Sequence, residues 1–383
     1  MKKKIITIIG ARPQIIKASA LSRAIENRFS NQLEEILVHT GQHYDDNMSQ
    51  VFFEELGIPK PKYNLSVGSG SHGVQTAKMI EGLEQIFLDE KPNAVLVYGD
   101  TNSTIAGSLA ATKIHIPVIH VEAGLRSFFK AMPEEINRIS CDHMSTLLFT
   151  PTVTGLENLK NEGFSTVNPN KATIDHPAVY HCGDVMYDNS LHFSKLSDQN
   201  ATVCLEHKLE SNLFILCTIH RDTNTDNSTN LENIFSGLLQ LVEYTNLKLV
   251  LPLHPRTKSK LAENLSKSLF EKVKSTENII IIPPVGFIDI IALQKNAKLI
   301  VTDSGGLQKE AFFFQKPCLI LRDQTEWIEI VENGNAKLVG AKTEQIVNEG
   351  RKLLEEQHLT YPSFYGDGNA AKFIAERIIE HIG

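Results

Sequence analysis

KLIVTDSGGLQKEAF, residues 298–312, is the stretch whose reading decides the fold. Its apolar start reads as a buried strand, and Thr302, Asp303 and Ser304 end it. Two adjacent glycines follow, and then a segment of helical period. Glycines after a strand let the backbone approach a ligand without a Cβ clash, and the next helix offers unpaired N–H groups and its positive dipole end. Ser304, Gly305 and Gly306 therefore form a candidate diphosphate cradle. Glu310, about one turn further in, suits ribose hydroxyls better than phosphate. The competing reading is a tight turn followed by an exposed helical charge.

The same strand–turn–helix alternation runs outward in both directions. Before residue 184 the strands are KIITIIG, EEILVHT, AVLVYGD, PVIHVEAG and STLLFTP; after it they are LFILCTIH, LKLVLPLHP, NIIIIPPVG and KPCLILRD. This pattern predicts an α/β protein of two doubly wound, Rossmann-like domains facing an interdomain cleft. The expected division is 1–184 for the first domain, joined by the C-terminal helix 366–383, and 185–365 for the second. The length, 383 residues, suits two domains of ordinary size.

A formal charge of −7 argues against nucleic-acid binding. No window approaches the roughly 18 apolar residues of a membrane span, and the apolar part of MKKKIITIIG is too short for a secretory signal, so the cytoplasm is expected. The five cysteines lack metal spacing and read as reduced core or loop residues, and neither His220 nor His254 pairs with Cys or Glu at zinc spacing, so no catalytic metal is expected.

GARPQIIK, Gly10–Lys17, ends the first strand and is neither GxGxxG nor a P-loop. Arg12 before Pro13, with Lys17 one turn on, would point cations toward the cleft. Asp100 ends AVLVYGD, Glu122 ends PVIHV, and Glu134 and Glu135 open the helix in MPEEINR. Acids at the carboxyl edges of neighbouring strands, with Arg126 and Arg138 near, form a candidate acid/base set. Glu135 reads as a helix-dipole partner. In the second half, His220 and Arg221 follow one strand and His254 and Arg256 another, suiting an anionic leaving group. Arg322, Asp323, Thr325 and Glu326 line the same rim.

Taken in order, GARPQIIKA, HTGQHYDDNM, YGDTNSTIAG, HVEAGLRS, MPEEINR, GDVMYD, TIHR, PLHPRT, TDSGGLQKEAFF and LRDQTEW resemble the non-hydrolysing UDP-N-acetylglucosamine 2-epimerases. The resemblance runs from about residue 5 to residue 340. It implies the two-domain GT-B-like fold, a homodimer, and interconversion of UDP-GlcNAc and UDP-ManNAc without NAD or catalytic metal. By the family's motifs, Asp100, Glu122 and Glu134 supply acid/base groups and His220 sits near the glycosidic oxygen and phosphate. Arg12, His254, Ser304, Gly305, Gly306 and Glu310 carry over as UDP contacts, with Lys17, Arg138 and Arg322 as further substrate-binding candidates.

The chain departs from the family pattern at GARPQ, where GTRPE is usual, and at WIE, where RPE is usual. The shorter loop from Arg126 to Pro133 carries Phe128, Phe129 and Lys130. These variations resemble the branch acting on UDP-2,3-diacetamido-2,3-dideoxyglucuronate, whose carboxylate Lys130 would answer. Gln42 and His43 match the region where bacterial members bind a second UDP-GlcNAc, with Asp45 where an amide is usual. A GT-B glycosyltransferase would share the Ser304–Glu310 clamp, but it needs an acceptor groove in place of the acids.

Overall fold

Alternating apolar strands and amphipathic helices close into two parallel sheets in this computed structural model, which describes residues 2–42, 53, 57–253 and 255–382, the side chains of Pro255 and Arg256 excepted. The chain divides into two compact units, Met1–Leu191 with Ser363–Gly383, and His192–Pro362.

In the first unit the strands are β1 (Lys3–Ile9), β2 (Leu33–His39), β3 (Tyr63–Asn64), β4 (Ala94–Tyr98), β5 (Val118–Val121), β6 (Leu147–Thr150) and β7 (Ala178–His181). They pair in the order β3-β2-β1-β4-β5-β6-β7, every pair parallel. The order reverses between β1 and β4. At such a reversal the following helices leave to opposite faces and open a crevice at the carboxyl ends. Every residue of β4 and β5 is buried, as strands covered on both faces require. On one face Ile6, Ile8, Val95 and Val97 pack with Met79, Leu83 and Phe87 of the helix His72–Glu90.

The C-terminal helix Ala370–His381 belongs to this unit. The Lys3 ammonium donates to the Ile379 carbonyl at 2.6 Å, and the Ala370 and Ala371 N–H groups donate to the Asp188 carboxylate at 3.1 and 2.8 Å. Burial pushes Asp188 up to about 6, against the pull of those two donors.

The second unit contains β8 (Phe214–Thr218), β9 (Lys248–Pro252), β10 (Ile279–Ile282), β11 (Leu299–Thr302), β12 (Cys318–Ile320) and β13 (Ala336–Leu338). Their order is β10-β9-β8-β11-β12-β13, again parallel, with the reversal between β8 and β11. The helix Ser228–Thr245 shows how sequence makes one layer. Asn227 caps its start by accepting the Asn230 N–H at 3.0 Å, and Asn246 ends it in the left-handed region at φ 54°. Leu231, Ile234, Phe235, Leu238 and Leu241 recur at helical spacing and bury against Ile215, Leu249 and Val301. Leu238→Ala would leave a cavity there and cost about 3 kcal/mol.

Strands β3 and β13, two and three residues long, are too short to show any period in sequence.

Candidate active site

In the first unit the β1–β4 reversal is pinned by one buried side chain. Gln14 Oε1 accepts the Gly10 and Ala11 N–H groups at 2.9 and 3.2 Å, while Nε2 donates to the Tyr98 carbonyl and the Thr104 hydroxyl at 2.9 and 3.0 Å. The amide thus ties the end of β1 to the end of β4; a glutamate here could accept but not donate. Gly10 must be glycine, because a Cβ would stand 2.1 Å from Ser103 Oγ and 2.2 Å from Thr40 Oγ1. Arg12 is exposed at the first position of the helix Arg12–Ala24.

Asp100 follows Gly99 at the end of β4 and pairs with the Arg138 guanidinium. Arg138 Nη1 also lies 2.8 Å from Glu135 Oε2. Asn137 Nδ2 donates to the Asp100 carbonyl at 2.9 Å, so two successive residues of the helix Pro133–Met144 hold Asp100. Asp100 and exposed Glu134 line a cavity of about 380 Å³ together with Gln42, His72, Gln75 and Asn102. The cavity's amides interlock: Asn102 Nδ2 donates to Gln75 Oε1 at 2.8 Å, and Ser103 Oγ donates to Gln42 Oε1 at 2.7 Å.

Glu122 ends β5 with φ 75°, a left-handed conformation that costs a non-glycine residue about 1 kcal/mol or more. Its carboxylate pairs with Lys17. A Cβ on Gly99 would stand 3.2 Å from Glu122 Oε2 and 3.3 Å from Lys17 Nζ, so the Asp100 turn runs directly against the pair.

Glu135 lies in the first turn of its helix, as the dipole reading expects, and does more. It accepts the Ser127 N–H and hydroxyl and the Phe128 N–H, each at 2.9 Å, and so binds the loop that leads from β5 into its own helix. Burial opposes its ionisation, but those donors and Arg138 hold its carboxyl below the ordinary value.

In the second unit Ser304 caps the helix Gly305–Phe313, accepting the Leu307 N–H at 3.5 Å. Neither Gly305 nor Gly306 has positive φ. Among the described residues a Cβ would find nothing closer than 3.7 Å at Gly305 and 4.0 Å at Gly306. Neither backbone strain nor packing by the described residues therefore calls for glycine at this helix N-terminus, where an anion would approach. The Trp327 indole N–H donates to the Gly305 carbonyl at 3.0 Å, and Lys309 Nζ lies 3.9 Å from the indole centroid. Arg322 Nη1 lies 3.0 Å from Glu326 Oε2, and that guanidinium outweighs burial to hold the Glu326 carboxyl low. Glu310 is buried and accepts from Gln294 Nε2 at 2.8 Å.

His220, exposed just beyond β8, faces Asp303 at the end of β11. The residue missed in the sequence is Asp303. It accepts the backbone N–H groups of His220 and Arg221 and the Asn224 side chain, and three donors plus His220 overcome its complete burial to hold its carboxyl low. Its position one residue before Ser-Gly-Gly was the available signal: a carboxylate beside an anion cradle implies a cation or N–H cluster that it serves. His254 lies outside the described residues, as do His43 and Asp45.

The profile of the family described as UDP-N-acetylglucosamine 2-epimerase matches residues 25–380. The chain belongs to that family. It is 48% identical over 373 residues to the UDP-2,3-diacetamido-2,3-dideoxy-D-glucuronate 2-epimerase of Pseudomonas aeruginosa, covering 97% of this chain and 98% of the relative. It is 41% identical over 373 residues to the UDP-N-acetylglucosamine 2-epimerase of Methanocaldococcus jannaschii, covering 97% of each. The crystal structure of the M. jannaschii UDP-GlcNAc 2-epimerase in complex with UDP-GlcNAc and UDP aligns with a TM-score of 0.84, over 98% of this chain and 99% of that one. The fold is accordingly the GT-B-like fold of these UDP-sugar 2-epimerases, which are isomerases. Among the described residues no three His, Cys, Asp or Glu side chains are grouped to hold a metal ion, and no helix is long and apolar enough to cross a membrane.

Proposed function

We propose that the protein is a non-hydrolysing UDP-N-acetylglucosamine 2-epimerase that interconverts UDP-GlcNAc and UDP-ManNAc. The observation that carries this reading is the placement of its motif residues at carboxyl ends beside the two strand reversals: Gly99–Asp100 after β4, and His220 and Ser304–Gly306 after β8 and β11. Gly305 and Gly306, with room above them, suit a diphosphate; Arg12, His254, Glu310 and Arg322 complete the proposed UDP contacts.

The C2 proton of the sugar is weakly acidic. Its removal calls for a positioned carboxylate and for loss of UDP, the C1–O bond breaking as the C1–C2 double bond forms. The product is 2-acetamidoglucal plus UDP. Protonation at C2 from the opposite face and return of UDP to C1 complete the epimerisation. Asp100, Glu122 and Glu134 supply the acid/base groups on this reading, and His220, oriented by Asp303, stabilises charge developing on the leaving phosphate. A homodimer, a cytoplasmic location and a role in surface-polysaccharide biosynthesis belong to the same proposal.

A second substrate has a specific observation behind it: the P. aeruginosa relative acting by name on the diacetamido-glucuronate is 48% identical, against 41% for the M. jannaschii enzyme. Incubation with each UDP-sugar in D2O, followed by NMR, tests both. Deuterium at C2 and a second epimer without net UDP release are expected. Absence of exchange with both sugars overturns the reading, and accumulation of free UDP and free sugar would indicate hydrolysis.

A further inference from the structure

His120 and Asp142 are fully buried in the first unit, and neither touches the 380 Å³ cavity. His120 Nδ1 lies 2.6 Å from Asp142 Oδ1, and Nε2 lies 2.8 Å from the Gly99 carbonyl oxygen. A carbonyl only accepts, so Nε2 carries a proton. Asp142 Oδ2 receives the Gly124 N–H at 3.1 Å and Arg126 Nη1 at 2.8 Å, an all-donor surrounding that favours the ionised carboxylate. Nδ1 therefore donates as well, and the ring is an imidazolium. Burial opposes that charge, while Asp142 and the neighbouring Cys141 favour it. Arg126 in turn pairs with Glu162 at 2.6 Å.

Gly99 immediately precedes Asp100, and Gly124 closes the turn that begins at Glu122. Glu122, at φ 75°, is the strained residue of its turn, while Gly99 and Gly124, at 62° and 77°, take the left-handed region freely as glycines. Gly124 packs so closely on Gly155 that a Cβ there would stand 2.3 Å from the Gly155 carbonyl oxygen. One imidazolium and one carboxylate thus clamp both acid-bearing turns from beneath.

We infer that the buried His120–Asp142 ion pair is a positioning unit that sets Asp100 and Glu122 relative to each other. It rests on the epimerase reading, since only that reaction gives the spacing of the two acids a consequence at C2. The pair touches no substrate, so its loss acts on turnover: displacing an acid by an ångström costs on the order of 10²-fold in rate.

Two measurements test it. In the intact wild-type protein labelled with ¹⁵N-histidine, the His120 ring is expected to show two N–H protons that persist from pH 6 to pH 9. Folded Asp142→Asn and His120→Gln variants are expected to lose kcat on the order of 10²-fold, with KM and calorimetric UDP affinity within about threefold of wild type. A His120 ring carrying one proton overturns the inference, as does an unchanged kcat or a parallel loss of UDP affinity. Should either variant fail to fold, the ring protonation decides. Should the wild type turn over no UDP-sugar, the epimerase reading fails, and the NMR result still judges the clamp.

Discussion

His220 Nδ1 lies 3.0 Å from Asp303 Oδ1, joining the ends of β8 and β11, the neighbours across which the second sheet reverses. The contact directs Nδ1–H inward and fixes which ring nitrogen remains for chemistry on an exposed side chain. Asp303→Asn removes the charge that holds this orientation. We expect a fall in kcat on the order of 10²-fold with UDP affinity nearly retained, measured by steady-state kinetics and calorimetry. Equal losses in kcat and UDP affinity would instead make Asp303 a support of the nucleotide cradle.

Asp100→Asn and Glu122→Gln keep shape and remove the acid/base function. Each is expected to lower turnover by on the order of 10³-fold, while UDP still binds, because the acids act in the transition state. Deuterium incorporation at C2 should fall in parallel. Retained exchange in either variant removes that residue from the acid/base set.

Gly306→Ala separates fold from function in one substitution. Among the described residues nothing fills the space a methyl would take, and φ is ordinary, so the fold should gain about 0.5 kcal/mol from lower unfolded-state entropy. A diphosphate approaching the helix N-terminus would meet that methyl, and UDP affinity should drop on the order of tenfold, about 1.4 kcal/mol. Thermal melts with and without UDP check both signs; undiminished UDP binding would move the anion site elsewhere.

The folded chain holds Glu135 below the ordinary carboxylate range, so the folded state releases its proton more readily than the unfolded one. Its contribution to stability is therefore complete above the unfolded value of about 4.3 and is lost as pH falls through the folded value. Glu135→Gln should cost about 2 kcal/mol at pH 7, and the difference from wild type should shrink below pH 4. Denaturant melts at pH 7 and pH 3.5 measure this; a pH-independent difference would assign the cost to packing.

Legibility in the sequence followed the range of each interaction. Strands such as AVLVYGD and KLIVTDS are readable because a strand covered on both faces is mostly apolar over several consecutive positions. The sequence places Glu135 in the first turn of its helix but hides its bonds to Ser127 and Phe128, because a glutamate opening a helix looks the same with or without them. Asp303 was passed over because its donors, Arg221 and Asn224, lie about 80 residues away in the chain. Gln14 stood out only as a departure from the family pattern, and its bond to the Tyr98 carbonyl explains why an amide serves there.

The sequence by itself determined the α/β class, the alternation that builds two parallel sheets, and, through ordered motifs, the family. These follow from local periodicity and from residue types that adjoin in the chain. Tertiary structure alone decided that the reversals fall at β1–β4 and β8–β11, that Lys17 meets Glu122, and that His120 and Asp142 sit beneath both acid-bearing turns. Strand order, which no local period encodes, sets which distant residues come within 3 Å.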